Sequence, residues 1–364
     1  MPLSAVTSPE SGTEVRLSPR SAGLSETDLT LIEALQVQPR ASWTRVAEVI
    51  GIDATTAARR WQQLTRHGLA WMTAYPTHHC ATVGYADLAC RPDALDGLTE
   101  QLRRWPYVFS VERTSGDHQL FLGLAARDLP ALDALITRRL GQLDGVRSLR
   151  LSIGTRVYHE GSGWLIHALN GRQRSFLAGD GRAVQSAPTG PRESDRQLLF
   201  ALSADARLSY AELARECGLS ETTVRRRLHR MTSSGELHFR CDVTQLLVGW
   251  PVGVTYRLRV PAHLLDSTAL ALAALPQTRL CVAVTGSHNL LLSVWLRSTA
   301  DCRAMEAQIL DCCARIDIAQ SDVTLYAAKR MGRLLNPEGR AIGHVTMTAW
   351  PRDVTSTVGT EPVR

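Results

Sequence analysis

Apolar residues along this chain fall into two kinds of spacing that alternate. From Ser25 onward, Leu29, Ile32 and Leu35 recur at helical intervals and stop ahead of Pro39. Residues 43–50 and then 54–67 continue as two short helices about Gly51, with Asp53 as the N-cap of the second. Ser25 and Asp28 have the spacing of a capping box, which places the first helix start there. Beyond about residue 80 the period shortens to two in places, predicting strand, helix, strand, strand, helix, strand over 83–90, 95–104, 108–114, 120–126, 129–141 and 146–154.

The same order returns. Residues 209–231 (SYAELARECGLSETTVRRRLHRM) read as a helix capped by Ser209 and Glu212, a turn at Gly218, and a second helix with Ser220 as N-cap. Val224, Leu228 and Met231 form its apolar stripe, opposite a face of hydroxyl and guanidinium groups. Shifted by 167, Glu26 to Ala70 lies on Glu193 to Leu237 without a gap, and 15 of the 45 positions are identical. The downstream halves match at a shift of 170, with Pro106, Gly116, His118 and Leu120 on Pro276, Gly286, His288 and Leu290. Elements at 252–260, 264–274, 280–285, 290–297, 299–312 and 316–326 are therefore expected in the second copy. A β-α-β-β-α-β order implies a ferredoxin-like antiparallel sheet with both helices on one face, the other face needing a partner sheet.

These patterns divide the chain. Residues 1–20 are expected to be disordered, 21–73 and 191–240 to be helix-turn-helix domains, and 74–158 and 241–332 to be ferredoxin-like domains. Residues 159–190 read as a linker and 333–364 as a loosely ordered tail. No apolar run is long enough to span a bilayer and the N-terminus lacks signal-peptide order, so a cytoplasmic location without membrane contact is expected. The eight cysteines contain no C-x-x-C pair and are read as small hydrophobes. His78-His79-Cys80 does not assemble a metal set, because neighbours on a strand point to opposite faces; neither metal nor cofactor is expected. Trp105, Trp250 and Trp295 are read as core.

Net charge is only +6, so basicity alone announces no nucleic acid, but Lys329 is the only lysine and the arginines cluster. Arg225, Arg226, Arg227 and Arg230 lie on one short helix with Thr222 and Thr223 in its first turn, where backbone N–H groups favour phosphate. Thr55, Thr56, Arg59 and Arg60 repeat that face in the first copy, while Ala54 and Ala58 stand where the second has Glu221 and Arg225. Double-stranded DNA is the expected partner, read at two non-identical half-sites. Arg40 and Arg207, just ahead of the second helix of each unit, are candidate phosphate clamps.

The D-x-x-L-x-x-A-L, R-x-S, G-[LI]-[SD]-x-T-T and R-R spacing, followed by a T-G-x-H/Y-x-L hairpin, resembles the Lrp/AsnC family of transcriptional regulators. The resemblance covers both copies. It implies an α+β fold with two winged helix-turn-helix domains, each followed by a ferredoxin-like βαββαβ domain that dimerises and binds a small effector such as an amino acid. It also implies a homo-oligomer or an intrachain pseudo-dimer. Effector contacts would then fall on the hairpins Thr114, Ser115, Gly116, Asp117, His118 and Thr285, Gly286, Ser287, His288, where Ser287 replaces the candidate ammonium partner Asp117. Two alternatives stay open. Siroheme decarboxylases are similar in fold and use histidines near this hairpin, yet Gln119-Leu120 and Asn289-Leu290 lack the aromatic expected after such a histidine. The other alternative is an effector sensor that does not bind DNA.

Overall fold

The computed structural model describes residues 23–77, 81–179, 192–313 and 315–347. The expectations for residues 1–20, for His78-His79-Cys80, for 180–190 and for 348–364 lie outside these. In the first module α1 (Glu26–Val37), α2 (Trp43–Ile50) and α3 (Ala54–Arg66) precede β1 (Ala70–Pro76). Ser25 and Asp28 cap α1 reciprocally, and Gly51, at φ 75°, ends α2 in the left-handed conformation that favours glycine. The βαββαβ unit is β2 (Thr82–Cys90), α4 (Leu95–Arg103), β3 (Val108–Thr114), β4 (Leu120–Ala126), α5 (Leu129–Arg138) and β5 (Val146–His159).

A helix follows where a linker was expected: α6 (Gly171–Ala178) carries its own Asn170–Gln173 capping box. It is docked on the first module by Arg174 against Glu33 at 3.3 Å and by Gln173, which donates to the Val49 carbonyl. Of its residues only Leu177 is buried, so the helix has no apolar stripe for a sequence pattern to register.

The second module repeats the first as α7 (Arg196–Ala204), α8 (Tyr210–Cys217), α9 (Glu221–Ser233) and β6 (Leu237–Val243). Its βαββαβ unit is β7 (Val252–Arg259), α10 (Leu265–Ala273), β8 (Thr278–Val284), β9 (Leu290–Leu296), α11 (Cys302–Cys312) and β10 (Asp317–Arg330). The expected tail instead begins with two paired strands, β11 (Arg333–Leu335) and β12 (Ala341–His344), added to β10.

The half-sheets run β3-β4-β2-β5 and β8-β9-β7-β10, and each supplies what the other lacks. β5 pairs with β8 and β10 pairs with β3, so eight antiparallel strands close into a ring within one chain. Period-two alternation sorts the side chains. Ala86 and Leu88 of β2 face helices α4 and α5 in one core; Val254, Tyr256 and Leu258 of β7 face α10 and α11 in another. Tyr85, Phe121, Val282, Val284 and Leu291 fill part of the space between the half-sheets. The partner sheet foreseen for the open face is thus the chain's own second copy. In the helical half, β1 pairs antiparallel with β6, joining the two helix-turn-helix units through a ribbon and a shared core.

Polar residues occupy the other part of the ring interior. Arg257 is fully buried between Asp87 and Asp322, and Arg150 reaches Asp87 at 3.1 Å and Gln320 at 2.9 Å. Positions 87 and 257 are equivalents in the two copies, 170 residues apart. A true twofold would place aspartate on aspartate or arginine on arginine here; the duplicated chain places opposite charges instead. Asp87 has Arg150 and Arg257 has Asp322 within its own copy, and the Asp87–Arg257 pair joins the two into one network across the copies.

Lys329 on β10 is also fully buried, its Nζ donating to the Trp105 carbonyl at 2.8 Å, and burial lowers its pKa to about 7. The unfolded lysine holds its proton up to about pH 10.4. The folded state therefore binds fewer protons between those values, and the penalty grows as pH falls from about 10.4 to 7 and is constant below.

Two outcomes follow. Arg257→Met should cost roughly 3–5 kcal/mol in urea unfolding by leaving Asp322 without a cation and Asp87 with Arg150 alone, and Asp322→Leu added to it should recover part of that loss. Lys329→Met should raise stability by a few kcal/mol at pH 7, with the gain fading as the melt is repeated toward pH 10.5.

Candidate functional site

Helix α3 presents Thr55, Arg59, Gln62 and Arg66 on one exposed stripe, at spacings of four, three and four. Helix α9 presents Thr222, Arg226 and His229 at the equivalent places. Both helices begin with a side-chain cap: Asp53 accepts from the Thr56 amide and Ser220 from that of Thr223. Arg59 and Arg226 have no ion-pair partner among the described residues and lie in the open. Gln62, Arg66 and His229 were not foreseen, although their place on the Thr55/Arg59 arc was available from helical periodicity.

The other predicted arginines are engaged by the fold. Arg60 is tied to Asp28 at 3.1 Å, and Arg227 to the equivalent Asp195 and to the Ser194 carbonyl. Arg230 bridges Asp195 and Glu236. These interactions anchor each recognition helix to the first helix of its own unit. Arg225 lies over the Tyr210 ring at 4.1 Å and keeps much of its surface exposed. Arg40 and Arg207 correct the expectation of phosphate clamps. Arg40 donates to the carbonyls of Ala206 and Leu208 at 2.6 and 2.8 Å, and Arg207 donates to those of Pro39 and Ala41 at 2.6 and 2.9 Å. Arg207 also stacks on Trp43 at 4.0 Å, and burial, with Arg40 beside it, lowers its pKa to about 10. The pair is a reciprocal clasp between the two helix-turn-helix units, with the terminal nitrogens of both guanidinium groups bonded to backbone.

The two predicted effector hairpins are likewise reciprocal. Ser115 exchanges two hydrogen bonds with Val323 of β10, and Thr285 does the same with Ile153 of β5. Thr114 is buried, its hydroxyl donating to the His118 carbonyl, while Gly116 and Gly286 take the positive φ of the turns. Asp117 and Ser287 are exposed. His288 is buried beside Arg257, and burial together with that guanidinium lowers its pKa to about 4, leaving a neutral imidazole near pH 7.

A chamber of about 190 Å³ opens between the ribbon and the ring, and none of the hairpin residues lines it. Tyr85, Phe109, Phe121, Val157, Leu280 and Trp295 give it an apolar body. Its polar end holds three arginines. Arg240 binds Asp242 through two hydrogen bonds, and Arg279 reaches the same carboxylate at 2.9 Å while lying 3.8 Å from the Trp295 ring centre. Burial lowers the Arg279 pKa to about 9, with Arg240 adding to the effect. Arg330 donates to Gln245 and lies over Trp295. Burial of Glu160 disfavours its ionisation, but hydrogen bonds from His238 and Ser162 outweigh burial and hold its pKa at about 2. No histidine lines the chamber among the described residues.

Comparison with known proteins bears on both parts. The model of the AsnC-type helix-turn-helix domain matches residues 24–65 and again 193–232, and that of the Lrp/AsnC ligand-binding domain matches 85–164. The regulatory protein AsnC of Escherichia coli is 31% identical over 150 residues, which is 41% of this chain and 93% of that protein. An HTH-type transcriptional regulator, LrpA, of Pyrococcus horikoshii is 27% identical over 129 residues, 34% of this chain and 90% of that protein. Among solved structures, the siroheme decarboxylase NirDL aligns over 84% of this chain and 93% of its own, with a TM-score of 0.55 and 13% identity; at that identity the likeness is one of fold. No helix among the described residues is long and apolar enough to cross a membrane. Two matched helix-turn-helix units, a matched ligand-binding domain and a near full-length regulator relative place this chain in the Lrp/AsnC family of transcriptional regulators.

Proposed function

We propose that the protein binds double-stranded DNA through α3 and α9 together and regulates transcription in response to a small molecule held by its paired ferredoxin-like domains. The observation that carries this reading is the pair of exposed stripes, Thr55/Arg59/Gln62/Arg66 and Thr222/Arg226/His229, on helices fixed relative to each other by the Arg40–Arg207 clasp and the β1–β6 ribbon. Guanidinium groups free of intramolecular partners suit phosphate or guanine, and glutamine suits adenine. Because the stripes differ at 62/229 and 66/233, the two half-sites should differ in sequence. Arg225, Thr56 and Thr223 flank the stripes and serve phosphate contacts.

A tetrapyrrole decarboxylase of the same fold is the second reading, favoured by the length of the NirDL alignment. Against it stand His288, buried beside Arg257 and held as a neutral imidazole, and the matched DNA-type stripes. Adding siroheme derivatives would separate the two: a new Soret band with release of CO₂ supports the enzyme, and its absence alongside DNA binding supports the regulator.

In electrophoretic shifts on DNA flanking the protein's own gene, replacing Arg59 and Arg226 together with Ala should weaken binding. It should also lower the salt slope by roughly one unit for each phosphate no longer neutralised, while the melting temperature is unchanged. Arg207→Met should do the reverse first, lowering the melting temperature by removing two half-buried hydrogen bonds to backbone worth about 1.5–3 kcal/mol each. Unchanged DNA affinity in the Arg59/Arg226 double variant would overturn the assignment of the stripes.

A further inference from the structure

The chamber between ribbon and ring has one arginine at its polar end without a close ion pair. Arg240 and Arg279 share Asp242, but Arg330 has no carboxylate within 4.0 Å among the described residues, only the Gln245 amide at 3.2 Å. Arg330 is partly buried and lines both this chamber and a smaller pocket beside it, with Asp242 and Glu112 acting on it from beyond ion-pair distance. On the same wall Glu112 accepts from the Thr324 hydroxyl at 2.7 Å and has no cation within that distance among the described residues. A guanidinium and a carboxylate thus both face the space with capacity to spare, beside a body of Tyr85, Phe109, Phe121 and Trp295.

A second observation concerns the next residue. Met331 and Gly332 form the two-residue turn between β10 and β11, at φ 45° and 79°. Turns of this kind favour Asn-Gly, and an unbranched apolar side chain at the first position costs conformational energy. Met331 lines the chamber, as does Met347. An unfavourable backbone position occupied by a flexible apolar side chain marks a wall shaped for contents.

The walls also lead outward. Tyr75 and Pro76 belong to β1, which follows α3, and Arg240 belongs to β6, which follows α9. Beyond the Met331 turn, the β12 amide of Ala341 donates to the Gly68 carbonyl at the end of α3, where a Cβ on Gly68 would stand 2.2 Å from the Ala341 carbonyl oxygen. Gly235, the equivalent after α9, has open space around it.

We propose that this chamber, and not the hairpins, is the ligand site, and that it takes a compact carboxylate with an apolar or aromatic body: the carboxylate on Arg330, the body against Tyr85, Phe109, Phe121 and Trp295. The proposal rests on the reading of the chain as a ligand-responsive regulator. Glu112 is placed to receive an ammonium group, so it separates an amino acid from a plain carboxylic or 2-oxo acid. Occupancy would bear on β1, β6 and the Met331 turn, and so on both recognition helices, more directly on α3.

The test is titration calorimetry on the full chain with leucine, phenylalanine, 4-methylpentanoate and phenylpyruvate, and with the amides of each. Acids should bind and amides bind at least about tenfold more weakly, because an amide cannot make the buried charge-assisted hydrogen bonds of a carboxylate. Arg330→Gln should lose affinity for all acids by a similar factor. Glu112→Gln should lose it for the amino acids alone if the natural ligand class carries an ammonium group, and the plain acids should win in the unmodified protein if it does not. Met331→Asn, which suits the turn, should melt at the same or a higher temperature yet bind acids more weakly. This guards against loss by misfolding. Failure of every acid to bind at millimolar concentration, acids and amides binding alike, or binding that survives Arg330→Gln but is lost in Asp117→Asn, would overturn the chamber. DNA shifts run on the same samples keep the two readings apart: acid binding without any DNA binding sinks the regulator and spares the site.

Discussion

The whole molecule depends on the closure of eight strands by two copies of one unit. Each βαββαβ unit leaves a sheet face open, and the two faces meet only if both edge pairings, β5 with β8 and β10 with β3, form together. Apolar residues drive that association without specifying which copy meets which. The Asp87–Arg257 pair favours first copy against second, since a true twofold would bring like charges together at this depth. Duplication followed by opposite charge at one equivalent position turns a self-complementary surface into one that fits its neighbour in the same chain.

The helical half obeys the same logic by a different chemistry. Arg40 and Arg207 kept their identity in both copies because each serves the backbone of the other unit, where symmetry is no obstacle. Their clasp, the β1–β6 ribbon and the shared core hold the two exposed stripes in a fixed relation. The ribbon then carries that relation down to the chamber. The asymmetric additions meet the two helix-turn-helix units differently: α6 holds Glu33 and Val49 and β12 holds Gly68 of the first, while Arg333 and Thr346 reach Ala204 and Ser203 of the second, so the two readers differ in support as well as in sequence.

Much of this is legible in the chain. The repeat, the capping boxes and the strand order follow from local spacing, and local spacing is what the structure keeps at α1 to α3 and β2 to β5. The hidden parts depend on partners far away in sequence. Helix α6 is held by Glu33 and Val49 rather than by an apolar stripe, and β11 and β12 are too short to show alternation. An arginine ahead of a helix looks the same whether it meets phosphate or a carbonyl 166 residues away, so local spacing assigns Arg40 and Arg207 the wrong role. One clue is present: identical arginines in both copies flanked by different aromatics, Trp43 and Tyr210, suit mutual stacking. The opposite charges at 87 and 257 are equally visible at the 170-residue shift, but their meaning needs the two strands to face each other.

The central claim is that one chain does what two chains of a single-module regulator would do, presenting two DNA-reading helices through one closed ring. Native mass spectrometry of the protein on its operator, with half-sites mapped by hydroxyl-radical footprinting, measures this directly. The account predicts one chain for every two protected half-sites, whatever larger assembly forms. Two chains for every two half-sites, each using a single recognition helix, would contradict it.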